Sequence, residues 1–285
     1  MKLSIVLSTH AAQFQAVAFK GDFQENVAKI AKWGYEGVEI AIRDPSLVDV
    51  DELIQVVNAY DLIVPAIGTG QAWGEEKLSL TSRDPAVRTQ AIERIKSHVP
   101  LASRLNAMII LGLIRGITPA GARKEESMAL LLEGLSECSR FAAEAGVRMA
   151  IEPLNRYETD LVHTMAEGID LIAKVGADNL GLLLDTFHMN IEEPVIEESI
   201  RDCGDRIFHF HVADSNRLHA GGGHLDFDSI LRALFSTGYQ GFVSGEFMPL
   251  PDADMSARLN IEWLRKIEAG LRSGNRAPRQ VTEKD

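Results

Sequence analysis

The stretch LGLLLDTFHMNIEEPVIEESIRDCGDRIFHFHVADSNR, residues 180–217, contains a complete strand–helix–strand unit. Its first apolar run, 180–184, is too short for a helix and leucine-rich, as a strand buried on both faces is. A segment of helical period follows at 195–203, and a second apolar run at 207–212 closes the unit. Two strands joined through a helix lie parallel, with a right-handed crossover.

The same alternation extends outward in both directions. Further apolar runs fall at 3–7, 37–42, 62–67, 107–113, 148–151 and 242–244, which makes eight. Helical patterns lie at 23–33, 85–105, 127–145, 165–175, 228–236 and 253–271. The one at 85–105 follows Asp84 as N-cap and has Pro85 at its first position, where the missing N–H is harmless. This pattern predicts an α/β fold, a closed (β/α)8 TIM barrel. An open doubly wound sheet is the alternative. Against it, no GxGxxG follows the first strand and the chain has no P-loop.

The 285 residues suit one barrel, for which roughly 250 residues is typical. No Pro/Gly/Ser-rich linker divides the chain, so residues 1–272 are expected to form a single catalytic barrel. The remainder, 273–285 (SGNRAPRQVTEKD), is polar and expected to be a disordered tail. With 46% apolar and 25% charged residues the composition is that of a globular protein. Lys and Arg total 29 against 41 Asp and Glu, and the net charge of −12 argues against a nucleic-acid partner. Cys138 and Cys203 lie in separate segments with no CxxC spacing, which fits reduced thiols. The start, MKLSIVLSTH, reads as a first strand and not as a signal peptide. The longest apolar run, 107–114, is far short of a membrane span. A cytoplasmic protein with no membrane association is expected.

In such barrels functional residues collect at the C-terminal ends of the strands. The fifth run leads into AIEPLNRYE and Glu152; the sixth, LLLDTFHMN, supplies Asp185 and His188. The seventh, IFHFHVADSNR, supplies His211, Asp214 and Arg217, and the eighth, VSGEF, supplies Glu246. His209 and His211 differ by two and point to one face; His211, nearer the strand end, is the better ligand, with His209 lower in the barrel. A single acid after a strand is usually a helix N-cap. Glu152, Asp185, His211 and Glu246 at equivalent places on four successive strands suggest a metal site, because such a cluster repels itself without a counter-ion. Mixed carboxylate and imidazole ligands suit one divalent ion, Mn²⁺ first, with Mg²⁺ or Co²⁺ as alternatives. Glu152 and Glu246 stand three strands apart in the ring. They are placed to remove a proton from one face of a carbon next to a polarised carbonyl and deliver one to the other, through an enediolate.

The stretches IEPLNRYE (151–158), LLLDTFHMNIEEP (182–194) and HFHVADSNR (209–217) resemble the motifs of the xylose-isomerase-like sugar epimerases, a group that includes D-tagatose and D-psicose 3-epimerases. The match is strongest over 148–248. The resemblance implies that Glu152, Asp185, His211 and Glu246 ligate the metal and that Glu152 and Glu246 are the catalytic acid/base pair. It further implies that Glu158, His188 and Arg217 contact substrate, and that the protein is a homo-oligomer, a dimer or a tetramer. The N-terminal half departs from those enzymes with IAIRDPSLVD (40–49), AIGTGQAW (66–73) and ILGLIRG (110–116), which look closer to 5-keto-L-gluconate epimerases yielding D-tagaturonate. A keto-sugar acid as substrate favours a basic partner, for which Arg115 is the candidate, with Gln71 and Trp73 lining the sugar pocket. His10 after the first strand is a weaker candidate, and His98, His163, His219 and His224 are expected to be structural or surface residues. Alternatives are a 3-epimerase of neutral ketohexoses and a hydroxypyruvate-type aldose–ketose isomerase. More distant ones are an endonuclease IV-like repair enzyme, which needs more ligands and a basic groove, and a non-catalytic sugar binder.

Overall fold

The structure, a computed structural model, describes residues 1–273. Its strands are β1 (Lys2–Ser8), β2 (Phe19–Lys20), β3 (Gly37–Ala41), β4 (Ala66–Gly68), β5 (Met108–Leu111), β6 (Met149–Ile151), β7 (Leu180–Asp185), β8 (Ile207–Val212) and β9 (Phe242–Gly245). All pair in parallel, in the order β2-β1-β3-β4-β5-β6-β7-β8-β9. Pairing of β1 with β9, from Lys2↔Phe242 to Ile5↔Gly245, closes the sheet into the eight-strand barrel. The two-residue β2 is an addition to that barrel. It takes the upper end of β1 through Leu7↔Phe19, beyond the reach of β9. The chain forms the closed (β/α)8 barrel that its alternating pattern predicted.

Around the strands run α1 (Phe23–Lys32), α2 (Val50–Ala59), α3 (Gln71–Glu76), α4 (Pro85–Leu105), α5 (Lys124–Glu144), α6 (Met165–Val175), α7 (Thr186–Glu192), α8 (Ile196–Cys203), α9 (Phe227–Ser236) and α10 (Ala253–Ser273). Three of these, α2, α3 and α7, were not anticipated. The helix α2 starts at Asp49, whose carboxylate accepts the N–H groups of Asp51 and Glu52 at 3.0 Å, and it buries Leu53 and Val57 one turn apart. The third apolar run, 62–67, is only partly strand. Its first half meets the barrel by a single bridge, Gly37↔Ile63, and the ladder begins at Ala66. The expected tail lies outside the described residues, apart from Ser273, which ends α10.

Period-two alternation sorts the strand residues into two cores. In β5, Ile109 and Leu111 face the helices, while Met108 and Ile110 join Ala66, Ala150 and Leu183 inside the barrel. One extra residue in β8 shifts the register against β7 between Leu182↔Ile207 and Leu183↔His209. Such a bulge changes which residues face inward. Phe208 therefore packs on the inner core, and His209 and His211 continue along the interior above it. Cys138 and Cys203 are both free and buried. No described helix is long and apolar enough to cross a membrane.

The turn after β5 requires a glycine. Gly116 has φ +98°, and an added Cβ would overlap Thr81 Oγ1 and Ser79 Oγ. Gly116→Ala should therefore cost about 1–3 kcal/mol through strain and overpacking. The cost is read as a lower urea or thermal midpoint, and an unchanged midpoint contradicts the assignment.

Candidate metal centre and active site

The barrel brings four of the expected residues together at the C-terminal ends of consecutive strands. Glu152 directly follows β6, Asp185 ends β7, His211 lies in β8 and Glu246 directly follows β9. Backbone bonds fix these positions: Glu152 N–H donates to Leu111 O at 3.2 Å, Glu246 N–H donates to Val212 O at 3.3 Å, and Asp185 pairs with His211 in the ladder. Each of the four offers one ligand atom, and all these atoms lie within 4.8 Å of one another. Asp185 also serves as a helix cap. Its Oδ1 accepts the N–H groups of Phe187 and His188 at 2.7 and 3.3 Å at the start of α7, while Oδ2 faces His211 Nδ1 at 3.7 Å. Glu246 Oε2 stands 4.0 Å from the same nitrogen.

Glu152 Oε1 and His211 Nδ1 are buried with no hydrogen-bond partner. Orphaned carboxylate and imidazole atoms directed at one point fit a divalent cation, so these residues form a candidate metal site. The electrostatics agree. Burial, and then the neighbouring Glu246, push the Glu152 carboxyl well above the usual range. Glu246 is pushed up to about 7, chiefly by burial, with Asp185 and Glu39 adding repulsion against the pull of His211 and Arg217. Burial also opposes ionisation of Asp185, but the neighbouring His211, His188 and Arg217 outweigh it and hold the carboxyl at about 2.

Beside this cluster lies a cavity of about 290 Å³. That is near the lower end of small-ligand pockets, roughly 300 Å³ upward. Glu152, Glu246, His211, His188, Glu158, Arg217 and Gln71 all line it, with Trp73, Phe14, Val17, Ile110 and Leu113 as apolar wall. His188 has a fixed tautomer. The backbone N–H of Asn155 donates to Nδ1 at 3.2 Å, and the Asn155 side-chain amide lies 2.7 Å from the same atom. Nδ1 is thus the acceptor and Nε2 carries the proton, in a ring that burial holds neutral by lowering its pKa to about 4. That Nε2–H is buried, unpartnered and 3.8 Å from Glu152 Oε1. The role of Asn155 was not foreseen, although the residue stands within the IEPLNRYE motif.

Arg217 lies between the rings of Phe187 (4.7 Å) and Phe14 (5.2 Å). It donates to Glu158 Oε1 at 2.7 Å and stands 3.9 Å from Glu246 Oε2. Its backbone takes φ +60°, held by a loop built on buried Asp214. The Asp214 carboxylate accepts the N–H groups of Ser215, Gly221 and Leu225 at 2.7–3.1 Å. Asp214, a strand-end acid in the sequence, is therefore the organiser of this loop. Gln71 donates to Ser8 Oγ at 2.8 Å and leaves its own carbonyl oxygen without a partner.

Arg115 must be corrected. It is wholly buried, does not line the cavity, and donates through Nη2 to Leu161 O (3.0 Å) and Val162 O (2.9 Å). The loop after β6 folds over it, so its guanidinium holds that loop instead of facing a substrate carboxylate. His10 faces Glu75 at 3.6 Å and lines a separate cleft of about 750 Å³ beside α1 and α2, where none of the four clustered ligands reaches. His98 is buried between the carbonyls of Arg94 and Ile42, a structural role as expected.

The family model described as xylose isomerase-like TIM barrel matches residues 27–267. The chain belongs to that family. Among its relatives is the L-ribulose 3-epimerase of Methylomonas sp. (strain DH-1), 31% identical over 240 residues, 81% of this chain and 82% of that one. Another is the D-psicose 3-epimerase of Enterocloster bolteae, 32% identical over 229 residues, 77% and 75% of the two chains. The D-allulose 3-epimerase of Methylomonas sp., solved in complex with D-allulose, superposes with a TM-score of 0.78 at 26% identity, covering 93% of this chain and 96% of that one. In this company the family member described here is an enzyme, an epimerase.

The charge pattern sets a pH dependence for the metal-free family member. Glu152 and Glu246 favour their protonated forms in the fold, so their contribution is lost as pH rises from 4.5 through the folded values, about 7 for Glu246. His211, raised by Glu39 and Asp185 against the opposing effect of burial, contributes in the same direction above 6.5. The opposing contributions of His188 and His209, both lowered by burial, level off just above pH 6.5. Thermal midpoints in chelator should fall from pH 6.5 to about pH 8, while Mn²⁺, which binds better as its ligands deprotonate, should widen the loaded-to-free gap over that window. A gap that narrows contradicts the site.

Proposed function

We propose that this protein is a 3-epimerase of small neutral ketoses, of the D-tagatose and D-psicose type, working with one divalent cation, Mn²⁺ first and Mg²⁺ or Co²⁺ as alternatives. The observation that carries the reading is the placement of Glu152 and Glu246. Both are carboxylates of the four-residue cluster, they stand on β6 and β9, three strands apart in the ring, and burial drives both toward the protonated form. Glu152, Asp185, His211 and Glu246 would hold the cation, which would supply positive charge against a ketose carbonyl. The remaining work is done by side chains. One of the two glutamates takes the C3 proton and the other returns a proton to the opposite face. The fixed Nε2–H of His188 is a neutral donor for a substrate oxygen, and the Arg217–Glu158 pair orients the neighbouring hydroxyls.

Charge favours a neutral substrate over 5-keto-L-gluconate. Arg217 is the arginine on the cavity wall, and it is already paired with Glu158. The removal of Arg115 from the cavity takes away the cation on which the keto-acid expectation rested. The names of the relatives, 3-epimerases of ribulose, psicose and allulose, support the same choice.

Wild-type protein with Mn²⁺ should turn over D-tagatose, D-psicose or L-ribulose with kcat/KM at least about tenfold above 5-keto-L-gluconate or D-tagaturonate, a difference of about 1.4 kcal/mol. In D₂O, NMR should show deuterium entering at C3 with inversion. Glu246→Gln should reduce turnover by about 10²–10⁴-fold, as expected for loss of a general acid/base. A preference for the keto-acid overturns the substrate reading, and transfer between C1 and C2 with an aldose product overturns the epimerase reading.

A further inference from the structure

Glu39 lies in the middle of β3, 1% exposed, and reaches across the barrel interior to β8. Its Oε2 is 2.7 Å from His209 Nε2, and its two oxygens are 3.0 and 3.1 Å from His211 Nε2. The contacts join residues 170 and 172 positions apart in the chain. An ionised carboxylate only accepts, so both imidazoles present Nε2–H to it. For His211 the consequence is specific. With Nε2 committed to Glu39, the ring aims Nδ1 between Asp185 Oδ2 at 3.7 Å and Glu246 Oε2 at 4.0 Å. That Nδ1 is buried and has no hydrogen-bond partner. His209 packs edge-on against His211, with ring centroids 5.2 Å apart at 76°, and its hydrogen bond keeps Glu39 from swinging away.

We propose that Glu39 and His209 are positioning residues that fix His211 as a metal ligand through Nδ1. Neither touches the substrate carbon or supplies a ligand atom to the ion. Glu39 sets which nitrogen of His211 carries the proton and which way the ring faces, and His209 sets Glu39. An outer carboxylate of this kind makes an imidazole a stronger donor and organises the site before the ion arrives. Glu39, His209 and His211 could themselves be arranged to hold a second ion. The short contacts to Glu39 argue instead for hydrogen bonds occupying that space.

The proposal rests on the four-residue metal site above, and its test is a metal titration that needs no substrate. Full-length protein, stripped with chelator and dialysed, is titrated with Mn²⁺ by calorimetry, and its metal-free thermal midpoint is recorded. Wild type and Glu39→Gln should each bind one Mn²⁺ per chain. Glu39→Gln should bind about 10–100-fold more weakly, the usual cost of losing such a partner. Its metal-free midpoint, recorded at the same pH, separates a folding defect from a loss of affinity. If Glu39→Gln fails to fold, His209→Phe keeps the ring volume and removes the donor to Glu39; it should weaken Mn²⁺ binding by about threefold or more. Affinity within twofold of wild type in the variant that folds overturns the proposal, as does a second equivalent of Mn²⁺ in wild type that is lost in the variant. Wild type that binds no Mn²⁺ at all defeats the metal reading itself, a result distinct from either.

Discussion

Three carboxylates and one imidazole face each other across less than 5 Å at the end of a closed barrel. Each is attached at a strand end whose backbone hydrogen bonds hold it in the sheet, so the four backbones cannot separate to relieve the repulsion. Without a counter-charge the cluster must hold protons, as the upward shifts of Glu152 and Glu246 express. A divalent cation held by these residues would resolve the conflict. Pairing of β9 with β8 sets Glu246 beside His211, and closure through β1 brings Glu39 of β3 across to His209 and His211.

A shell of side chains with fixed hydrogen-bonding directions surrounds the cluster. Asn155 fixes the proton of His188, and Glu158 with two aromatic rings fixes Arg217. Asp214 gathers three backbone N–H groups to shape the loop that carries Arg217, and the close approach leaves no room for a Cβ at Gly223. Polar groups whose partners are already set do not reorganise during reaction, which is the physical basis of electrostatic preorganisation.

The four clustered side chains were legible in the sequence because each lies at or just past the end of an apolar run, and strand-end placement needs no knowledge of long-range contacts. Glu39 was not. It stands within GVEIA, where a lone acid gives no local sign of its partners, and it meets His209 only because the barrel closes. Arg115 was legible in place and misread in role. The sequence puts it just past β5, but the covering loop whose carbonyls it holds begins nearly forty residues later. The helix α7 escaped notice because it starts without a linker, on the same Asp185 that ends β7. The bulge in β8 was invisible too, since a one-residue shift between strands leaves no mark on composition.

The most direct test of the account is a crystal structure of the Mn²⁺-loaded protein with the ion located by anomalous scattering. The account predicts a single strong peak bounded by carboxylate oxygens of Glu152, Asp185 and Glu246 and by Nδ1 of His211, with Nε2 of that ring still on Glu39. A peak between Glu39, His209 and His211, or ligation of His211 through Nε2, would contradict it.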